Sequence, residues 1–159
     1  MRMKEGFDLL LPSTGYTETV IRDFEYVLGK FPTDYRELLM NYKTGYPGIL
    51  SPEDYEPIAV TGKDDIFYVE AFLTLPQVVS RLYHFLDSEY GLSGNHREYR
   101  LLPICSAGSA RREYYLKLDT GEVFDIDPFD DINREINLAD HLIASSVREF
   151  ILSFRLVKI

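Results

Sequence analysis

The hydrophobic pattern of this chain is most regular between residues 101 and 126, where three short runs follow one another closely. Leu101–Cys105 is apolar, and Glu113–Leu118 and Glu122–Ile126 alternate with the period of two that half-buried strands show. Between the last two runs, Asp119-Thr120-Gly121 has the composition of a three-residue hairpin loop in which Gly121 adopts a positive φ. These features predict a three-stranded antiparallel meander at the centre of the fold.

Four other segments carry apolar residues at the spacing of an amphipathic helix. Two of them begin with a capping box, formed by Thr74 with Gln77 and by Ser146 with Glu149. Because a meander has an apolar face that must be buried, we expect these helices to pack on it. The predicted fold class is therefore α+β. It combines a mixed, mostly antiparallel sheet with about four helices, near residues 18–29, 34–43, 76–90 and 146–156.

The rest of the chain adds shorter elements to this core. Gly29 is predicted to end the first helix, and Thr33 to cap the second. Strand-like pieces are predicted near residues 57–60, 66–71 and 138–144. The length of 159 residues, with 45% hydrophobic residues, predicts a single domain over residues 1–159 with an irregular lead-in at residues 1–16.

The chain is acidic, with 26 Asp and Glu against 17 Lys and Arg, a net charge of −9 and a pI near 4.8. Phosphate groups require clusters of Lys and Arg, so this balance argues against nucleic acid or a membrane as a direct partner and permits a basic protein partner. No apolar run approaches transmembrane length, and the single cysteine, Cys105, cannot form an internal disulfide. We expect a cytoplasmic protein that is a monomer or a homodimer.

Two stretches concentrate the negative charge. Residues 119–140 hold eight carboxylates against one base, Arg134, and residues 53–70 hold six against one base, Lys63. Such a surface can steer a basic partner, and aromatic residues beside it can anchor that partner. The alternative is a solvated face that keeps the protein soluble. The predicted partner-binding residues are Tyr46, Glu53, Asp54, Tyr55, Glu56, Asp64, Asp65, Asp125, Asp127, Phe129, Asp130 and Asp131.

None of the patterns indicates catalysis or a bound cofactor. The Asp cluster from Asp125 to Asp131 fails as a calcium loop, because Phe129 and Asp130 stand where a third oxygen ligand and a glycine are needed. The three histidines lack metal-ligand spacing, and the small-residue loop at 106–110 matches no phosphate-binding motif. We therefore expect a protein that is not an enzyme and uses no metal or cofactor. A small hydrolase or metal enzyme built on the Asp cluster is the disfavoured alternative.

A resemblance to a known superfamily rests on three blocks of the chain. The blocks are Phe24-Glu25 with Gly29-Lys30-Phe31-Pro32-Thr33-Asp34-Tyr35-Arg36-Glu37-Leu38-Leu39, Asn41 and Gly45; Leu102-Pro103-Ile104 through Gly108 to Gly121-Glu122-Val123-Phe124; and the closing segment Ser146–Leu152. In this order they resemble the SUKH superfamily over roughly residues 18–155. The chain departs from the superfamily pattern at Lys43-Thr44-Gly45, where an Asn-Gly pair is usual.

The SUKH superfamily takes in yeast cell-wall synthesis regulators and many bacterial immunity proteins that neutralise polymorphic toxins. The resemblance implies a non-enzymatic binding protein with the α+β fold. The function we expect is immunity against a cognate toxin, with a nuclease as one candidate, through an acidic, aromatic-studded surface that covers the toxin's basic cleft. The alternative is an intracellular regulatory scaffold of the cell-wall-regulator type.

Overall fold

The structure is a computed structural model that describes residues 14–43, 58–61, 66–87, 100–107, 113–127 and 137–156. Its helices are α1 (Glu18–Leu28), α2 (Thr33–Asn41), α3 (Leu75–Asp87) and α4 (Val147–Leu152), with a 3-10 turn at Leu138–His141. Its strands are β1 (Ile58–Thr61), β2 (Ile66–Val69), β3 (Ala71–Phe72), β4 (Leu101–Ser106), β5 (Glu113–Lys117), β6 (Val123–Ile126), β7 (Leu142–Ala144) and β8 (Arg155–Leu156). The predicted α+β fold class is confirmed.

The strands form two sheets. The larger has the order β3-β4-β5-β6-β7 and contains the predicted meander, and the smaller has the order β2-β1-β8. Only Glu70 separates β2 from β3, and its N–H donates to the Ser106 carbonyl of β4 (2.8 Å). Residues 66–72 therefore form one extended segment that contributes a strand to each sheet. The predicted predominance of antiparallel pairing is confirmed. Every strand pair within the described residues is antiparallel, so the expected parallel component is not found there.

The hairpin between β5 and β6 turns at the predicted glycine. Gly121 has a φ of +79°, a conformation that an L side chain rarely adopts. Its N–H donates to the Lys117 carbonyl (2.8 Å), and the Lys117 N–H donates to the Glu122 carbonyl (2.9 Å). The loop therefore spans four residues, 118–121, one more than the sequence predicted.

Both predicted capping boxes involve the expected residues. The Thr74 N–H donates to Gln77 Oε1 (2.8 Å), and the Gln77 N–H donates to Thr74 Oγ1 (3.3 Å). At α4 the Ser146 hydroxyl accepts the Glu149 N–H (3.1 Å). These bonds satisfy N–H groups that have no partner inside a helix, so they fix where α3 and α4 begin.

The start of α2 differs from the prediction. Pro32 is the N-cap residue, and Thr33 is already helical, so the prediction that Thr33 caps this helix was wrong. The neighbouring Asp34 instead accepts the backbone N–H of Arg148 (2.9 Å) in the first turn of α4. A side chain of α2 thus helps to cap a helix more than a hundred residues away, which no local pattern reports.

The larger sheet is buried on both faces. Helices cover one face, and in this main core Phe150 lies 5.1 Å from Tyr114 and 5.0 Å from Phe154 between ring centroids. The opposite face carries a second buried cluster, against which Leu138 of the 3-10 turn packs: Leu101, Tyr115, Phe124 and Ile126. The alternation in β5 therefore separates two buried faces rather than a core face from a solvated one.

Candidate protein-binding surface

Two of the predicted partner-binding residues, Asp125 and Asp127, lie in the described part of the chain, in β6 and directly after it. The others lie outside the described residues: Tyr46, Glu53, Asp54, Tyr55, Glu56, Asp64, Asp65, Phe129, Asp130 and Asp131. For those residues, partner binding stays a prediction.

The structure separates Asp125 from Asp127. Asp125 lies opposite Tyr114 in the β5–β6 pair, and directly opposed residues share a face of the sheet. Tyr114 belongs to the main core, so Asp125 faces that core and is 5% exposed. A carboxylate this buried cannot contact a partner unless the packing against the sheet rearranges. Asp127 directly follows β6 and is half-buried, so part of this residue is exposed at the surface.

A buried polar relay lies beside Asp127, formed by Arg81, Glu113 and Tyr115. Arg81 of α3 forms an ion pair with Glu113 at the start of β5, and the Tyr115 hydroxyl donates to the same carboxylate (3.1 Å). The side chain of Glu113 is 7% exposed, against 40% for Arg81. A buried carboxylate needs such partners, because desolvation would otherwise favour its neutral form.

Electrostatics connects this relay with Asp127. Burial raises the pKa of Tyr115; the positive charge of Arg81 opposes that effect, whereas the negative charge of Asp127 adds to it. Asp127 directly follows Ile126, which lies opposite Glu113 in the β5–β6 pair. The net effect of these charges and of burial is a raised pKa of Tyr115. The phenol therefore remains protonated and able to donate to Glu113.

Sequence reasoning missed this relay. Glu113 was the polar first residue of a strand, and Arg81 was one of several polar positions on an amphipathic helix. The available signal was a carboxylate placed two residues before Tyr115, and therefore on the same face of the strand as that tyrosine.

A second charged group, the α1–α2 clamp, consists of Glu18, Glu25 and Arg36. The Arg36 guanidinium forms ion pairs with both carboxylates, and Glu25 also accepts the backbone N–H of Phe31 (2.9 Å). Burial acts to raise the pKa of Glu25, but the hydrogen bonds from Arg36 and Phe31 and the charges of Arg36 and Lys30 outweigh it, so this pKa is lowered. The hydrogen bond with Glu25 in turn raises the pKa of Arg36.

An exposed apolar face on α1 is also outside the predicted surface. Tyr26 is 93% exposed and Val27 is 64% exposed, and both lie in the last turn of the helix. Val27 follows Phe24 at helical spacing, which on its own would favour a place in the core. The structure places Ile21 in the core instead and leaves the Tyr26 side of the helix outward.

Three observations on the described residues bear on enzyme chemistry. No group of three or more His, Cys, Asp or Glu side chains among them could hold a metal ion. A cavity of about 10 Å³ between α2 and β3, lined by Tyr35, Tyr42 and Phe72 among others, has room for about one water molecule. Burial raises the pKa of Cys105 well above its usual range, which keeps this thiol protonated and unreactive.

None of the described helices is long and apolar enough to cross a membrane. The described chain is thus an α+β domain whose larger sheet is buried on both faces. The model of the SMI1 / KNR4 family (SUKH-1) matches residues 15–153, and the chain belongs to this family. No curated protein matches the sequence.

The two main blocks that resemble the superfamily pack against each other in the fold. A Cβ placed on Gly121 of the hairpin loop would lie 3.8 Å from the Pro32 ring. A Cβ on Gly29 would lie 2.8 Å from the Arg100 guanidinium and 3.1 Å from Leu118, and Gly29 itself has a φ of +105°. Gly29 therefore allows the end of α1 to approach Arg100 and the hairpin loop closely, whereas Gly121 is favoured by its positive φ and would leave room for a Cβ. Residues of this kind report the fold, and the partner must be inferred from surface chemistry.

Proposed function

We propose that this protein is an immunity protein that neutralises a cognate toxin by binding it directly. Membership of the SMI1 / KNR4 family supports this proposal, because the wider superfamily includes immunity proteins as well as regulators. The observation that carries it is the charge of the chain, −9 in total with two acidic stretches. An excess of this size favours a partner with a basic surface, such as an enzyme that acts on nucleic acid.

The proposed mechanism is occlusion of the toxin's basic cleft by the acidic stretch that follows β6. Asp127 is the part of this stretch that the structure describes, and it adjoins the buried relay. Asp130 and Asp131 complete the proposed charge cluster, with Phe129 as its aromatic anchor. Asp125, although it is in the same stretch, is buried and has no part in the proposed contact.

Charge of this kind acts mainly on the rate of association, over a screening length of about 8–10 Å at physiological salt. The test is a triple substitution, Asp127→Lys, Asp130→Lys and Asp131→Lys, with the toxin domain encoded next to this chain's gene as the binding probe. We expect slower association at low salt and loss of protection in cells that express the toxin.

The matched control is Glu5→Lys, Asp23→Lys and Glu98→Lys, three acids outside both acidic stretches, of which Asp23 is exposed. Each acid-to-Lys change adds two charges, so both triple variants move the net charge from −9 to −3. Glu18 is not used because it belongs to the α1–α2 clamp. If the first variant associates as fast as the wild type at low salt, the acidic-surface mechanism is wrong.

A regulatory scaffold is the alternative function, since the matched family takes its description from SMI1 / KNR4. The fold would be the same, and the partner would not be a toxin. Genomic context distinguishes the two, because an immunity gene lies beside the gene of its toxin. A pull-down that recovers no toxin domain from the neighbouring gene would favour the scaffold.

A further inference from the structure

The position of the buried relay in the fold suggests a role in addition to stabilising the fold. Glu113, its central carboxylate, lies directly opposite Ile126 in the β5–β6 pair, and Asp127 is the next residue along the chain. Tyr115 is fully buried two residues further along β5. The relay therefore lies at the base from which the acidic stretch leaves the sheet.

The contacts of Glu113 make this base rigid. Its carboxylate is shared between the guanidinium of Arg81, which comes from α3, and the hydroxyl of Tyr115, which comes from the second buried cluster. Charge-assisted hydrogen bonds of this kind are among the stronger ones in proteins, and low exposure strengthens them further. The relay thus joins helix α3 to strand β5 and to the second buried cluster.

We infer that the Arg81–Glu113–Tyr115 relay positions Asp127 for contact with the partner, an inference that rests on the proposed function. Holding a contact residue in its bound geometry before binding lowers the entropy lost in the complex. Such pre-organisation acts on the dissociation rate, because it leaves the charge that steers association unchanged. Arg81, Glu113 and Tyr115 are positioning residues and need not touch the partner themselves.

The test uses Tyr115→Phe, which removes one hydroxyl and keeps the ring in its buried place. The matched control is Tyr35→Phe, because Tyr35 is also buried and its hydroxyl has no hydrogen-bond partner within the described residues. With the toxin domain from the neighbouring gene as the probe, we expect Tyr115→Phe to raise the dissociation rate about fivefold, the effect of one hydrogen bond, with association unchanged. Tyr35→Phe should change neither rate.

Amide hydrogen exchange supplies a second measurement that needs no partner. We expect faster exchange at Ile126 and Asp127 in Tyr115→Phe and wild-type exchange at both amides in Tyr35→Phe. Unchanged exchange at these amides would overturn the inference, and so would an unchanged dissociation rate from a toxin domain that does bind. A toxin domain that fails to bind the wild-type chain contradicts the proposed function instead, while exchange still decides whether the relay holds Asp127.

Discussion

The α1–α2 clamp and the Arg81–Glu113–Tyr115 relay each join a helix arginine to a carboxylate, but they differ in what surrounds the acid. In the clamp, Glu25 keeps a backbone N–H from Phe31 in addition to Arg36, and the second acid, Glu18, is half exposed. In the relay, Glu113 is almost fully buried. The side chain of Glu25 is 13% exposed and that of Glu113 is 7% exposed, so both central acids are largely buried and Glu113 is the more buried of the two.

This difference decides what each arginine contributes. When a partly solvated carboxylate loses its arginine, water and the remaining hydrogen bond compensate for much of the loss. When a buried carboxylate loses its arginine, the desolvation penalty stays and the compensating attraction disappears. We therefore expect the energetic importance of each arginine to follow the burial of its acid rather than the number of ion pairs it makes.

The largest effect is expected for Arg81→Leu, which leaves Glu113 buried without its cation. The free energy of unfolding should fall by about 3–5 kcal/mol, measured by urea denaturation at neutral pH. The double variant Arg81→Leu with Glu113→Leu should recover most of this loss, because no buried charge remains. A single variant as stable as the wild type would show that Glu113 reaches water and would remove the contrast with the clamp.

Arg36→Leu should have a smaller effect, although Arg36 pairs with two acids. The expected loss is about 1.5–3 kcal/mol, the contribution of hydrogen bonds to charged groups, because Glu25 keeps its bond from the Phe31 N–H. The same urea titration measures it, with Arg22→Leu as the control, since the side chain of Arg22 is 72% exposed and contacts Glu18 at 3.6 Å. A loss larger than that of Arg81→Leu would reverse the comparison.

These two sites also mark where sequence reasoning reached its limit. The meander, the positive φ of Gly121 and the capping boxes at Thr74 and Ser146 were predicted because each depends on residues close together in the chain. The clamp and the relay depend on residues brought together by the fold. Arg148 and Asp34 give the extreme case, with a hydrogen bond across 114 positions.

The candidate surface could be predicted only in part for a related reason. The alternation of residues 122–126 placed Asp125 on the polar face of a sheet with one solvated side. In the structure both faces are covered, so the polar position of that pattern is buried. Alternation reports which residues share a face, and only tertiary packing decides whether that face meets water.

The acid sensitivity of the clamp gives a third test of the comparison. The folded-state pKa of Glu25 is lowered below the ordinary value of a glutamate, so its contribution is fully present above that ordinary value and is lost as the pH falls through the folded pKa. We expect Glu25→Gln to lower the free energy of unfolding by about 0.5–1.5 kcal/mol at pH 7. In urea titrations at pH 3 the wild type and the variant should differ less. A difference that stays constant with pH would contradict the assigned role of the charge.

The smallest effect is expected at the α2–α4 contact, where both charged groups face water. The guanidinium of Arg148 lies 3.2 Å from the Glu37 carboxylate, with side chains 55% and 41% exposed. Exposed pairs of this kind contribute about 0.2–1 kcal/mol, because solvent screens them and both side chains lose rotamer freedom. Arg148→Ala should therefore shift the urea midpoint only slightly, since its backbone N–H still donates to Asp34.

Asp34→Ala is the informative counterpart, because it removes that backbone bond while the Arg148–Glu37 pair remains. If Arg148→Ala proved as destabilising as Arg36→Leu, exposure would not rank these ion pairs, and the explanation of the difference between clamp and relay would fail with it.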